Sequence, residues 1–158
     1  MSASSTARRV AATALAAGAI VSAVALPAAA HDGDRHRHQP RVEISRVQAD
    51  SPGRDNRSNR SLNGEWVEIT NNTRHGVNLS GWTLRDRDGN RYRFDDFRLA
   101  GRATVRVHTG VGRDTRTDVF QDRHDYVWDD RADKATLRDE HGRTVDTKSW
   151  NNRHHHRR

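Results

Sequence analysis

Apolar and polar residues alternate in short runs between residues 41 and 150, and this period of two predicts β-strands with one buried face. The alternation is clearest from Gly64 to Asp88, where it predicts a strand at residues 66–70, a short turn, and a second strand at residues 81–84. The apolar positions of this stretch are the expected core residues: Val67, Ile69, Leu79, Trp82 and Leu84.

Six further short strands are predicted along the chain, at residues 42–48, 91–94, 104–108, 126–128, 134–138 and 144–147. Turn-forming residues separate them, including an Asp88-Gly89 pair of the kind used by tight hairpins and a Pro-, Gly- and Asn-rich loop at residues 50–63. Residues 109–125 are polar, with Val119 and Phe120 as expected anchors on the core. The pattern predicts an all-β sandwich of about seven to nine short strands.

The N-terminal residues have a different character from the rest of the chain. Residues 1–30 carry an arginine pair, an Ala-rich apolar run and a small-residue Ala-x-Ala site, which predicts a secretory signal peptide cleaved after Ala30. The expected product is secreted and starts with a disordered His- and Arg-rich arm at residues 31–40. The sandwich domain is expected at residues 41–150, and a disordered basic, His-rich tail at residues 151–158.

Composition restricts the chemistry. The chain has no cysteine, which excludes disulfides, thiol nucleophiles and cysteine-based zinc sites. Only 32% of its residues are apolar, so the core must be thin. The four tryptophans are expected to supply much of that core, because each carries on the order of 150–250 Å² of surface: Trp66, Trp82, Trp128 and Trp150.

The net charge is positive and comes almost wholly from arginine. The formal charge is +7, and it is +5 without the signal peptide, so the protein should favour anionic partners. Lys134 and Lys148 are the only lysines, an arginine bias that a GC-rich coding genome also produces without functional selection. The 21 acidic residues interleaved with the arginines favour this second interpretation.

A set of short motifs resembles the lamin-tail domain. It comprises EWVEITN at residues 65–71, LSGWTLRD at 79–86 and YRF at 92–94, followed in order by WDD at 128–130, ATLRD at 135–139 and GRTVD at 142–146. The resemblance covers residues 41 to 150 approximately. It implies an immunoglobulin-like β-sandwich and a non-enzymatic binding or adhesion module. Bacterial members are secreted or surface proteins, often beside hydrolases or nucleases, and the domain has no catalytic residues to carry over.

The residues themselves also argue against an enzyme. Glu65 and Glu68 are three positions apart, which places them on opposite faces of a strand and separates their carboxylates. The sequence contains no nucleophile elbow, no His-Glu-x-x-His motif and no phosphate loop. No catalytic site is therefore predicted.

Two kinds of metal site are considered. Asp86, Asp88 and Asn90 alternate like calcium ligands, but the glycine and the acidic residue that an EF-hand requires are misplaced, and a hairpin is favoured. Asp129, Asp130 and Asp133 form a second acidic cluster. Histidines concentrate at both ends of the mature chain and are candidate zinc or copper ligands, which gives an exported metal-binding protein as the alternative function: His31, His36, His38, His154, His155 and His156.

Arginines near predicted loops and strands are the candidate binding residues. Arg91 and Arg93 share one strand face and are the best-defined pair. They are candidates to contact phosphates of extracellular DNA or of an anionic cell-wall polymer. The alternative is a solvated face on which nearby aspartates neutralise the arginines. The full candidate set is Arg54, Arg57, Arg60, Arg85, Arg87, Arg91 and Arg93.

Overall fold

A computed structural model describes residues 40–151 of the chain, which form ten strands and one four-residue helix. The strands are β1 (Val42–Gln48), β2 (Trp66–Asn71), β3 (Val77–Asn78), β4 (Thr83–Arg85), β5 (Arg91–Arg93), β6 (Arg98–Leu99), β7 (Thr104–His108), β8 (Asp118–Phe120), β9 (Ala132–Arg138) and β10 (Thr144–Asn151). The helix, α1 (Asn59–Leu62), lies between β1 and β2. The strand count exceeds the predicted range by one because β3 and β6 are only two residues long.

Two four-stranded sheets enclose the core. The first sheet has the order β1-β2-β7-β8 and is antiparallel except for the parallel β7–β8 pair. The second has the order β10-β9-β4-β5 and is antiparallel throughout, while β3 and β6 form a separate small ribbon. Side chains from both sheets make up one hydrophobic cluster. This arrangement confirms the predicted all-β, immunoglobulin-like sandwich.

Alternation along the strands places the apolar residues inside. All five predicted core residues of the Gly64–Asp88 stretch are buried. The two strands of that stretch lie in different sheets, with β2 in the first and β4 in the second. The stretch therefore contributes to both walls of the core.

The prediction for the tryptophans was wrong at one position. Trp82 and Trp128 are buried in the core, and Trp150 packs against it. Trp66 lies on the outer face of the first sheet, where the Arg106 guanidinium carbon sits 4.5 Å from the ring centroid. Strand period explains this position, since Trp66 precedes the inward-facing Val67.

One side of the sandwich is closed by side chains of β10. β1 bulges at Ser45, and this frees backbone groups at its edge. The Ile44 amide donates to Asp146 Oδ2 at 2.7 Å, and Lys148 Nζ donates to the Ser45 carbonyl at 2.8 Å. These bonds occupy edge groups that would otherwise be open to a further strand.

Three local predictions were wrong. The loop at residues 50–63 contains α1, whose N-cap Ser58 Oγ accepts from the Ser61 amide at 3.2 Å, although Leu62 is buried as expected. The polar region at residues 109–125 contains β8, and Phe120 of that strand is half-buried rather than a core residue. Residues 126–128 do not form a strand, because two of their amides bind a buried carboxylate instead.

Candidate anion-binding face

The outer face of the second sheet gathers basic and hydroxyl side chains. Two rows of side chains cross β5, β4 and β9. One row consists of Arg91, Arg85 and Thr136, in that strand order. The other consists of Arg93, Thr83 and Arg138. Lys134 shares the face of Thr136 and Arg138 by strand period. We call this surface the arginine face; its residues are Thr83, Arg85, Arg91, Arg93, Lys134, Thr136, Arg138, Thr144, Thr147 and Ser149.

The basic side chains of the arginine face are almost without counter-charges. No acidic residue occupies an outer position of β4, β5, β9 or β10. Within residues 40–151, Arg85, Arg91, Lys134 and Arg138 form no ion pair. The one ion pair of the face joins Arg93 Nε to Asp95 Oδ1 at 4.0 Å, and both side chains are more than half exposed. Such a pair contributes little attraction, so the face remains cationic.

Arg138 is the most constrained cation of this face. Its Nη1 donates to the Gly142 carbonyl at 3.2 Å, which holds the guanidinium against the β9–β10 turn. Its Nε is buried and has no hydrogen-bond partner among the described residues. Arg138 and Lys134 are absent from the candidate set predicted from the sequence, because only the register of β9 against β4 brings them to the same face as Arg85.

The β4–β5 hairpin positions Arg85 and Arg91. Gly89 has a φ of +100°, which glycine adopts without steric cost, and its amide donates to Asp86 Oδ1 at 2.7 Å. The side-chain amide of Asn90 donates to the other Asp86 oxygen. Both carboxylate oxygens thus stabilise the turn, and the predicted hairpin is confirmed. Arg87 lies exposed in this turn, and its amide donates to Asp133 Oδ1 at 3.1 Å.

The loop arginines lie elsewhere, in the segment between β1 and β2. Arg57 pairs with Asp125 at 3.0 Å, while Arg54 and Arg60 line a shallow cleft of about 380 Å³. Acidic residues surround this end of the sandwich: burial together with Asp50, Asp55 and Asp129 raises the pKa of Asp130. The structure therefore groups Arg85, Arg91 and Arg93 on one cationic surface and leaves Arg54, Arg57 and Arg60 in a region of mixed charge.

Glu65 and Glu68 point in opposite directions, as predicted. Glu65 is fully buried and accepts from the amides of Val127 at 2.9 Å and Trp128 at 3.3 Å, and from the Thr109 hydroxyl. Burial raises the pKa of Glu65 to about 7. The alternation along the strand predicts that Glu65 points inward, because it lies two residues before Val67 and four before Ile69, which both face the core.

Asn71 is a second buried polar residue, and its role was not predicted from the sequence. Its Nδ2 donates to the carbonyls of His75 at 2.8 Å, Leu99 at 3.2 Å and Ala100 at 3.0 Å. Its Oδ1 accepts from the Thr73 amide at 3.0 Å. The amide is therefore well satisfied, and it joins the chain after β2 to the turn before β7.

The candidate metal ligands fall into two groups, the histidines of the termini and the acidic residues of turns. His31, His36, His38, His154, His155 and His156 lie outside the described residues. The acidic cluster predicted around residues 129–133 shapes a turn: Asp129 Oδ1 accepts from the Arg131 amide at 2.7 Å, and Asp133 Oδ2 accepts from the Asp129 amide at 3.2 Å. The β9–β10 turn also brings Asp139, Glu140 and His141 together, but Arg143 Nε already binds Asp139 Oδ2 at 2.7 Å.

Comparison with known proteins places this fold in a family. A search of curated proteins gives no match to the chain. Among the described residues, none forms a helix long and apolar enough to span a membrane. The family model for the Lamin Tail Domain matches residues 36–152, a stretch that includes every strand described above. The motif resemblance, the immunoglobulin-like sandwich and this match agree, and the chain belongs to the lamin tail domain family.

Proposed function

We propose that this chain is a secreted, non-enzymatic lamin-tail module that binds anionic polymers through the arginine face. Secretion is supported by the signal-peptide pattern of residues 1–30. A binding role is supported by family membership. The polymers that fit the charge are extracellular DNA and phosphate-containing cell-wall polymers.

One observation carries the proposal: Arg85 and Arg91 lie directly opposite each other on neighbouring strands, and no residue from 40 to 151 supplies a counter-charge between them. Like charges at such positions destabilise a sheet. Thr83 and Thr136, on the same face, show that neutral side chains fit there. A bound polyanion would relieve the repulsion by supplying the missing negative charge.

The test is a salt titration of DNA binding by the exported chain. Since each arginine–phosphate contact releases a counterion, affinity should fall as salt rises. The double variant Arg85→Gln/Arg91→Gln should bind more weakly, with a log–log salt slope smaller by about 2. The control Arg74→Gln/Arg116→Gln removes the same charge from two exposed loop positions and should retain the affinity of the unmodified chain.

Two results would overturn the proposal. One is undetectable binding at low salt. The other is an equal loss in the two double variants, which would mean that net charge alone drives binding. Deleting residues 31–39 and 152–158 separates the terminal segments from the sandwich, and binding that disappears with them would place the site outside the arginine face.

A further inference from the structure

The arginine face has no side chain on which a nucleic-acid base could stack. Its residues are arginines, a lysine, threonines and a serine. The aromatic residues of the second sheet point inward: Tyr92 packs edge-on against Phe94 at 4.9 Å, and Trp150 packs against Trp128 at 5.9 Å. Proteins that hold single strands rely on aromatic platforms, and one stacked base is worth about a fivefold gain in affinity or more.

The shape of the face also favours contacts to the polymer backbone. Bases in a duplex are read by an element that enters a groove, such as a helix or a protruding ribbon. The basic residues of the arginine face lie on three adjacent strands of one sheet, so they form a broad surface. A broad cationic surface meets the phosphates, which lie on the outside of the polymer.

The spacing of the cations sets the size of the patch and the number of phosphates that it can contact. Arg91 and Arg93 are two residues apart on β5, or about 7 Å at the usual strand rise. Arg93 and Arg138 are separated by one intervening strand, or roughly 10 Å. The five basic residues therefore cover a patch of about 10 by 14 Å.

From these observations, and resting on the proposed function, we infer that the arginine face recognises phosphodiester backbone alone and ignores the group attached to it. DNA and a wall polymer of the glycerol-phosphate type present the same chemistry to this surface. With at most five phosphate contacts, the log–log salt slope for single strands should not exceed about 3.5 in magnitude.

The experiment compares three probes with equal numbers of phosphates: single-stranded DNA, an abasic deoxyribose-phosphate strand and poly(glycerol phosphate). The exported chain should bind all three within about threefold, with similar salt slopes. The Arg85→Gln/Arg91→Gln variant should weaken all three by the same factor, and the Arg74→Gln/Arg116→Gln control should weaken none.

The failures of the inference and of the proposed function are distinguishable. If DNA binds at least tenfold more tightly than the abasic strand, bases are contacted and the inference is wrong, although polymer binding stands. If poly(glycerol phosphate) alone fails to bind, recognition depends on the sugar and the inference is again wrong. If none of the probes binds, the proposed function itself is wrong.

Discussion

The outer faces of the two sheets use charge in opposite ways. On the first sheet Glu68 pairs with Arg106 at 3.2 Å, Arg106 covers Trp66, and His108 pairs with Asp118 at 2.9 Å. On the second sheet the arginine face has five basic side chains and one weak ion pair. On both sheets the outward residues alternate along the strands with residues that pack in the same core, so the fold does not account for the difference.

The two faces differ in whether their charged side chains form ion pairs within the sheet. Glu68 is only 15% exposed and links two strands, because it also accepts from Ser45 Oγ of β1 at 3.0 Å. Its charge is used within the sheet. Arg85 and Arg91 make no such link to any other residue that the structure describes. The ion pairs of the first sheet therefore link its strands, whereas the unpaired like charges of the second sheet are the feature on which the proposed function rests.

The largest predicted effect concerns Glu65, a buried carboxylate that has no cationic partner in the described part of the chain. Its folded-state pKa of about 7 exceeds the ordinary value of 4.5, so the folded protein holds its proton more tightly than the unfolded chain. The free energy of unfolding should therefore fall as pH rises from about 4.5 to about 7, by roughly 3 kcal/mol. Glu65→Gln should remove this decline, measured by urea unfolding across that range. Parallel profiles for the two proteins would contradict the prediction.

The outer face of the first sheet, which we call the paired face because its charged side chains pair with one another, should affect stability with the opposite pH dependence. Hydrogen bonds from Thr117 and His108 lower the pKa of Asp118, so its stabilising contribution is present at neutral pH and is lost as pH falls through that lowered value. Asp118 and Glu65 therefore act in separate pH windows. The variant Asp118→Asn should be less stable than the unmodified chain by a constant amount between pH 4.5 and 7, so the decline there is unchanged, and this difference should disappear as pH falls further and Asp118 becomes protonated.

Removing a charged side chain from the paired face should lower the free energy of unfolding more than removing one from the arginine face. Glu68→Ala removes hydrogen bonds from Ser45 and Arg106 to a charged group and should lower the free energy of unfolding by about 1–2 kcal/mol. Arg85→Ala, on the unpaired face, should change it by less than about 0.5 kcal/mol. A double-mutant cycle of Glu68 and Arg106 should give a favourable coupling, whereas one of Arg85 and Arg91 should give an unfavourable coupling. Equal costs on the two faces would contradict the comparison.

Local patterns predicted what depends on local chemistry. Strand period placed Val67, Ile69 and Leu84 in the core, and the Asp88-Gly89 pair placed the β4–β5 hairpin. It also placed Arg91 and Arg93 on one face. These features depend on residues within a few positions of one another, which is why the sequence alone revealed them.

Features that depend on partners distant in the chain were missed. β8 is a strand because it pairs in parallel with β7, and no hairpin turn announces such a pairing. Arg138 joins Arg85 on the arginine face only through the register of β9 against β4. Trp66 was assigned to the core by its size, but Arg106 of β7 covers it on the outside. Each case requires knowledge of which strands are neighbours.

The smallest predicted effect on stability separates binding from folding on the arginine face. Arg91→Glu places an acidic residue opposite Arg85, so repulsion becomes attraction and the free energy of unfolding should rise by about 0.2–1 kcal/mol. The same change puts a negative charge among the remaining arginines and should reduce polyanion affinity more than Arg91→Gln does. Thermal or urea unfolding and the DNA salt titration measure the two effects on the same samples. A variant that is both less stable and unchanged in binding would show that Arg91 has a structural role. A gain in stability together with a loss of binding is expected only if the exposed repulsion serves an external anion.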